Sequence, residues 1–474
     1  MCAITIFDLL QYFRINDPYR LIGLLAILFI IVLPLLIDQP GLTYPELKNF
    51  ISGEKVREGN SLYTEIIDST APLAAWFNAF LDICFGRSLL ARHILAFLLI
   101  FLQASYLGVI FSSQKAFAEN TYIPSLIFAV LSTFSFDAIS LTPELMGSGF
   151  LLLALNNLFK QLEFRGQDNE SIFSLGLYIG IASLFVLSFA MFIVGSFLIL
   201  IFFTRSSPRQ YFLMTFGVLL PHILLLSSYY LMDGLHQVWQ YFYLANFTFH
   251  SDRFISNQAL WTLAALPLLF LFISLIMMNR DARLSKYQTQ LVQSMFFWMI
   301  FSVLQILISK DFRPQNFITL IPSFSFFITH FLLLIRRRRF AEMHIWLLII
   351  GIVTISYSSR YDLWSRIPYN DLLVKDDKNS FEGKRVLALD DDYSFYKDNR
   401  LASPFLSWNL AKEIFGEPGY YENIIVVYNG LNSDPPEIIR DKNDQLKPFF
   451  ERIPKLKGMY TRDGIYYVRN SVSN

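Results

Sequence analysis

The chain has 474 residues, 54% of them hydrophobic, 17% aromatic and 16% charged, with a formal net charge of +1. Soluble globular proteins carry roughly 25% charged residues, so this is not an ordinary soluble protein, and its near-neutral balance gives no electrostatic reason to bind nucleic acid. Two cysteines, Cys2 and Cys84, are expected on opposite sides of a membrane, which excludes a disulfide framework, and zinc-ligand spacings are absent.

A helix needs about 20 apolar residues to cross the hydrocarbon core. On that measure eleven spans are predicted, near 20–37, 89–112, 121–139, 144–160, 172–187, 189–204, 210–232, 259–279, 291–309, 315–335 and 341–359. The first, RLIGLLAILFIIVLPLLI, is long enough to remain as an anchor. The run 172–204 is too long for one crossing and is split at a tight turn near Leu187-Ser188. The domain division follows: 1–359 forms the transmembrane part, with a first outer loop at 38–88, and 360–474 forms a soluble domain.

Within that loop, YPELKNFISGEKVREG carries Leu47, Phe50 and Ile51 at helical spacing, with Glu46, Glu54, Lys55 and Glu58 largely opposite. It reads as an amphipathic helix lying on the membrane surface. A second helix runs from Pro72 to a stop at Gly86. The segment LHQVWQYFYLANFTF has the Trp and Tyr content of an interfacial stretch. In the tail, KRVLALD (384–390) and NIIVVYN (423–429) read as buried strands. SPFLSWNLAKEIFG (403–416) reads as a helix capped by Ser403, with Pro404 in its first turn and Gly416 at its stop. MYTRDGIYYVRN reads as a hairpin turning at Asp463-Gly464.

Basic residues are retained in the cytoplasm. With the N-terminus inside, the inner segments hold fourteen Lys and Arg, including the block Arg336 to Arg339, and the outer connections hold seven. This orientation places the C-terminal domain outside the cytoplasm, which in a bacterium is the periplasmic face of the inner membrane.

Acids near a membrane are costly unless paired, hydrated or functional. On the outer side they are Asp38, Glu46, Glu65, Asp68, Asp137 and Glu144. Thr142-Pro143-Glu144 is also a helix start, where a carboxylate meets exposed backbone N–H groups. His222 and His330 read as helix–helix hydrogen-bond partners. Asp390-Asp391-Asp392 reads as a solvated strand end.

The order of elements across 42–93 resembles the first outer loop of the GT-C membrane glycosyltransferases, which use polyprenyl-phosphate-linked sugars and include the protein mannosyltransferases and the aminoarabinose transferase of lipid A. The matching elements are Glu46 on a surface helix, Gly59 to Tyr63, Asp68, the Pro72-Leu73 turn, Phe85-Gly86-Arg87-Ser88 and Arg92. LGLYIGIASLF (175–185) resembles the family's Gly-rich fifth span, and RPQNFITLIPSFSFF (313–327) its late Arg- and Pro-containing span. The chain is also similar to a multi-pass membrane family of Bacteroidota.

The resemblance implies a GT-C-like helical membrane fold with a small α/β outer domain. It implies transfer of a sugar from a polyprenyl-phosphate donor to a lipid or glycan acceptor of the cell envelope. On this reading Glu46 is the general base, and Asp68 and Glu144 are supporting acids or ligands of a divalent cation, Mg or Mn. Arg313, with Lys310, contacts the lipid phosphate. Pro45 stands where the family usually has Asp, so the alternative is a GT-C-fold scaffold that binds the lipid-linked sugar without catalysis. A transporter is disfavoured by the absence of an inverted repeat.

Overall fold

The computed structural model describes residues 9–163, 168–247, 252–253, 255–361 and 381–470, with 363, 364, 367, 369 and 372–375 between the last two. Cys2 and Arg165 fall outside the described residues. The chain divides into two compact units: residues 1–40, 89–225 and 249–371 form the first, and 41–88, 226–248 and 372–474 the second. Its helices in order are α1 (Leu9–Arg14), α2 (Arg20–Ile37), α3 (Tyr44–Arg57), α4 (Pro72–Phe85), α5 (Leu89–Ser113), α6 (Ile123–Leu131), α7 (Pro143–Glu163), α8 (Asn169–Phe185), α9 (Met191–Phe203), α10 (Pro208–Leu231), α11 (Leu235–Val238), α12 (Asn257–Asp281), α13 (Lys286–Ile308), α14 (Ile321–Leu334) and α15 (Arg338–Arg360).

All eleven stretches expected to cross are largely helical. Among the described residues, seven helical segments are long and apolar enough to cross a membrane: α2, α5, α10, α12, α13, 314–334 and α15. The protein is therefore a membrane protein, and the expected count of eleven exceeds what length and apolarity support. The stretch 121–139 yields only the nine residues of α6 and a 3-10 turn, Phe136–Ile139. The stretch 144–160 is α7, which carries Glu144, Lys160 and Glu163. The run 172–204 breaks as expected. Val186 adopts an extended conformation, and a 3-10 turn, Leu187–Ala190, joins α8 to α9.

The first unit has an inside-out polarity suited to lipid. Ile22, Phe29 and Ile30 of α2, Phe212 and Leu224 of α10, and Trp261 and Phe272 of α12 point outward. Side chains that can hydrogen-bond lie inside: Gln103 of α5 donates to the Leu145 carbonyl at 2.7 Å, and Ser148 of α7 donates to Gln103 at 3.1 Å. Thr319 donates to Gln305 of α13 at 3.0 Å. Such bonds satisfy polar groups that lipid cannot. Glycines let α8 and α10 approach closely. A Cβ on Gly176 would stand 2.1 Å from the Met214 carbonyl oxygen, and one on Gly180 would stand 2.6 Å from that of Val218. This is the physical use of the Gly-rich segment noted in the sequence. A short parallel pair, β1 (Asp252–Arg253) with β2 (Asp311–Phe312), lies in the same unit.

The second unit is built on a five-stranded sheet in the order β4-β3-β5-β7-β6. Its strands are β3 (Arg385–Ala388), β4 (Arg400–Leu401), β5 (Ile438–Arg440), β6 (Tyr460–Asp463) and β7 (Tyr466–Arg469), and its C-terminal helices are α16 (Trp408–Gly416), α17 (Tyr421–Ser433), α18 (Lys447–Arg452) and α19 (Pro454–Met459). β3 is parallel to β4 and β5, while β7 runs antiparallel to β5 and β6. The strand expected at 384–390 and the hairpin are present; the hairpin turns at Gly464, which has a positive φ of 60°.

Three local expectations are corrected. Residues 423–429 are helical, within α17. Val427, Gly430 and Leu431 face inward and Ile425 outward, so a run of β-branched residues follows a helical period after the Pro418-Gly419 turn. α16 starts at Trp408, not Pro404, because Ser403 takes a positive φ of 80°, which a helix cap does not use. α3 is a helix as expected, but its charged residues are buried too: Glu46, Glu54 and Lys55 are 5%, 6% and 3% exposed. It is embedded in its unit, with Glu54 and Lys55 matched by partners distant in sequence.

Candidate functional site

The five candidate residues divide between the units. Glu46 and Asp68 belong to the second; Glu144, Lys310 and Arg313 belong to the first.

In the second unit α3 opens with a capping box. The Thr43 hydroxyl accepts the Glu46 N–H at 3.4 Å, and Glu46 Oε2 accepts from the Thr43 N–H at 3.1 Å and its hydroxyl at 2.8 Å. Pro45 fits because first-turn N–H groups have no intrahelical acceptor. The position that carries Asp in the resembling family is here part of a helix-start device. Asp68 is fully buried, with Lys48 Nζ at 2.9 Å from Oδ1, and its Oδ2 accepts from the Thr70 N–H at 3.3 Å and from the Thr70 hydroxyl. Tyr63 donates to the Thr70 carbonyl at 2.7 Å and stacks on Phe242. Burial pushes the Tyr63 hydroxyl well above its ordinary pKa, with the neighbouring Tyr229 and Asp68 adding to the shift.

Sequence reasoning missed the remaining partners of α3. Lys55 Nζ lies 2.6 Å from Asp434 and 3.6 Å from Glu58. Arg57 meets Asp82 at 2.9 Å, and Glu54 meets Arg87 at 2.6 Å and Arg400 at 3.2 Å. The only local signal was the density of charge on α3; apart from Glu58, an i,i+3 neighbour of Lys55, its partners Asp82, Arg87, Arg400 and Asp434 are distant in sequence. Asp390 at the end of β3 also differs from a solvated strand end, pairing with Arg440 at 2.6 Å and Lys442 at 2.9 Å.

In the first unit Glu144 occupies the first turn of α7, where the Thr142 hydroxyl accepts the Leu145 N–H at 3.3 Å. Arg313 sits in extended backbone just before the 3-10 turn Pro314–Leu320 and donates from Nη2 to Glu144 Oε1 at 2.8 Å. Both side chains are nearly enclosed, at 7% and 5% exposure. Glu144 Oε2 is buried and accepts no hydrogen bond among the described residues. Lys310 is half-buried just after α13. Nearby, Gln315 donates to the Asp137 carbonyl, and Ser135 bonds both the Asp137 carboxylate and the Tyr369 hydroxyl. Burial raises the Tyr369 pKa well above the ordinary phenol value, and the Asp137 charge adds to this. A 20 Å³ cavity lined by Ser132, Thr142 and Gln315 is roomy enough for one water. Arg92 is buried on α5.

Two solved structures of ArnT, the aminoarabinose transferase from Cupriavidus metallidurans, match this chain. The form bound to undecaprenyl phosphate aligns with a TM-score of 0.53 and 13% identity, covering 96% of this chain and 98% of that one. The fold is GT-C. The apo form of ArnT gives a TM-score of 0.50 and 14% identity over 74% of this chain and 66% of that one. The archaeal oligosaccharyltransferase AglB from Archaeoglobus fulgidus, in complex with an inhibitory peptide and a dolichol-phosphate, aligns at a TM-score of 0.46 with 9% identity, covering 96% and 75%. No protein-family model and no curated protein matches the chain.

Within this GT-C fold the candidate acids are poor cation ligands. Glu144 is neutralised by Arg313 and Asp68 by Lys48. Among the described residues no group of three His, Cys, Asp or Glu side chains is placed to hold a metal ion. The expected Mg or Mn does not fit these residues, and no step below runs through one. What the first-unit pair offers is a carboxylate oxygen able to accept a proton beside a guanidinium able to bind an anion.

Proposed function

We propose that the chain is a glycosyltransferase of the bacterial inner membrane that moves a sugar from a polyprenyl phosphate to a lipid or glycan acceptor at the outer face. The observation that carries this reading is the GT-C fold, shared along nearly the whole chain with an ArnT structure bound to undecaprenyl phosphate. The excess of basic residues in the inner segments supports a cytoplasmic N-terminus and a periplasmic C-terminal domain.

In the proposed reaction an acceptor hydroxyl attacks the anomeric carbon, the carbon–oxygen bond to phosphate breaks, and the lipid phosphate leaves. The hydroxyl proton passes to a carboxylate. Glu144 is the favoured base, because its Oε2 has no hydrogen-bond donor among the described residues. Glu46 ranks behind it, since its Oε2 already caps α3. Arg313 and Lys310 supply positive charge for the departing phosphate.

Purified chain in liposomes, given undecaprenyl phosphate carrying a labelled sugar, tests this. Transfer is expected from wild type and is expected to be lost in Glu144→Gln. Glu46→Gln is informative because glutamine serves equally in a capping box. Loss of transfer in a stably folded Glu46→Gln variant would return the base to Glu46.

A second reading has a specific observation behind it: Pro45 and the capping box occupy the place of the family's acidic pair. On that reading the chain binds the lipid-linked sugar without turning it over. Saturable donor binding with no transfer to any envelope extract would favour it.

A further inference from the structure

The second unit has an open cleft of about 330 Å³ that includes none of the five candidate residues. Its walls come from the end of α3, the end of α4 and the stretch 397–400 that leads into β4. Four cations line it, Arg57, Arg87, Lys397 and Arg400, against three carboxylates, Glu54, Asp82 and Asp398.

The arginines converge on one buried acid. Glu54 receives Arg87 at 2.6 Å, Arg400 at 3.2 Å and Arg57 at 4.0 Å, while Arg57 also reaches Asp82 at 2.9 Å. Arg87 is held further by the carbonyls of Tyr396 and Lys397, at 3.1 and 3.3 Å. Each guanidinium carries five N–H donors; these contacts engage three on Arg87, but only one on Arg400 and two on Arg57. The wall is open at two places. Gly86 and Gly383 both line the cleft with positive φ, and a Cβ at either would meet nothing within 4 Å.

The arginine side chains stand 35% (Arg57), 27% (Arg87) and 62% (Arg400) exposed around the buried Glu54 and Asp82, so the cluster faces solvent on its cationic side. Here cations exceed acids, and a space large enough for a small molecule is left among them. Guanidinium forks match phosphate oxygens in pairs, and the carboxylates of Asp82 and Asp398 suit hydroxyl donors. We propose that this cleft binds a phosphorylated sugar, with Arg57, Arg87 and Arg400 on the phosphate and the two aspartates on sugar hydroxyls. The chemistry is common to a soluble sugar phosphate and to a lipid headgroup bearing a phosphate monoester.

The test uses the purified full chain in detergent, titrated calorimetrically with glucose 6-phosphate, and, in a second arm, sedimented with vesicles containing phosphatidic acid. Arg400→Gln is the chosen variant, because Arg400 is mostly exposed and its loss leaves Arg87 on Glu54. Arg57→Gln is the second, and an unchanged melting temperature establishes folding in each. Saturable glucose 6-phosphate binding weakened at least tenfold in a folded variant is expected for a soluble ligand. Vesicle binding alone, weakened in the same variants, is expected for a headgroup. Absence of binding in both arms, or binding that both folded variants retain in full, would overturn the proposal. These readouts do not depend on transferase activity, so failure here leaves the transferase reading standing.

Discussion

The Glu144–Arg313 pair gives the sharpest physical test of the first unit. The two groups are 2.8 Å apart, and both side chains are more than nine-tenths enclosed. Removing one partner of such a pair strands the other without compensation, which costs about 3–5 kcal/mol. At roughly 2 °C per kcal/mol, the lower end for domains of 150–250 residues, Glu144→Gln or Arg313→Gln should each melt about 6–10 °C below wild type. The double variant strands no charge. It should melt no lower than either single variant, giving a coupling energy of at least about 3 kcal/mol, at the upper end of the range for residues in contact. The assay is tryptophan fluorescence during heating of purified protein in one detergent. Single variants within about 1 °C of wild type, or a double variant whose loss is the sum of the two, would refute the claim that these charges compensate each other in a low-dielectric site.

Other outcomes follow from the same geometry. Gly176→Ala should lower the melting temperature or expression sharply, because its Cβ would stand 2.1 Å from the Met214 carbonyl oxygen; a normally stable variant would contradict the close packing of α8 on α10. Burial alone would raise the Asp434 pKa, but the hydrogen bond and charge of Lys55, with Arg385 and the Ser403 N–H, hold it below the usual carboxylate range. Its contribution is therefore present above the unfolded pKa of about 3.9 and is lost as pH falls through the lower folded value. Asp434→Asn should destabilise the second unit by about 3 kcal/mol at neutral pH, the lower end for a broken buried pair, since it leaves the buried Lys55 only the longer 3.6 Å contact with Glu58, and should flatten the loss on acidification; an unchanged acid profile would count against the Lys55–Asp434 contact. Trp76, with Phe80 and Ile83 on the open face of α4, and Trp239 near α11 are exposed apolar anchors. Single-tryptophan variants should be quenched by nitroxide lipids, and full emission from both would contradict an interfacial placement.

Much of the fold was legible because it depends on local chemistry. Apolar runs of helical length located the helices of the first unit, and the excess length of 172–204 revealed the break at Val186. Gly464 fixed the hairpin. The misread elements are those where local propensity and tertiary setting part. Residues 423–429 carry the β-branched residues of a strand but the inward spacing of a helix. Ser403 and Pro404 look like a helix start, yet the backbone at Ser403 turns the wrong way. The candidate site was legible only in part. Residue type and order drew attention to Glu46, Asp68, Glu144, Lys310 and Arg313, but nothing local announces that Arg313 will reach back 169 positions to Glu144. Nor does a local pattern tell a solvated charged face from one buried against Asp434, Arg87 and Arg400. The capping box was written in Thr43 and Glu46, and it accounts for the proline between them.

The central claim is sugar transfer from a polyprenyl phosphate. The most direct measurement follows labelled undecaprenyl-phosphate sugar with the purified wild-type chain and an envelope extract, tracking label in the organic and aqueous phases. The account expects label to leave the donor, undecaprenyl phosphate to appear in equal amount, and both to vanish in Glu144→Gln. Donor that is bound by the wild-type chain and recovered intact after prolonged incubation would contradict it.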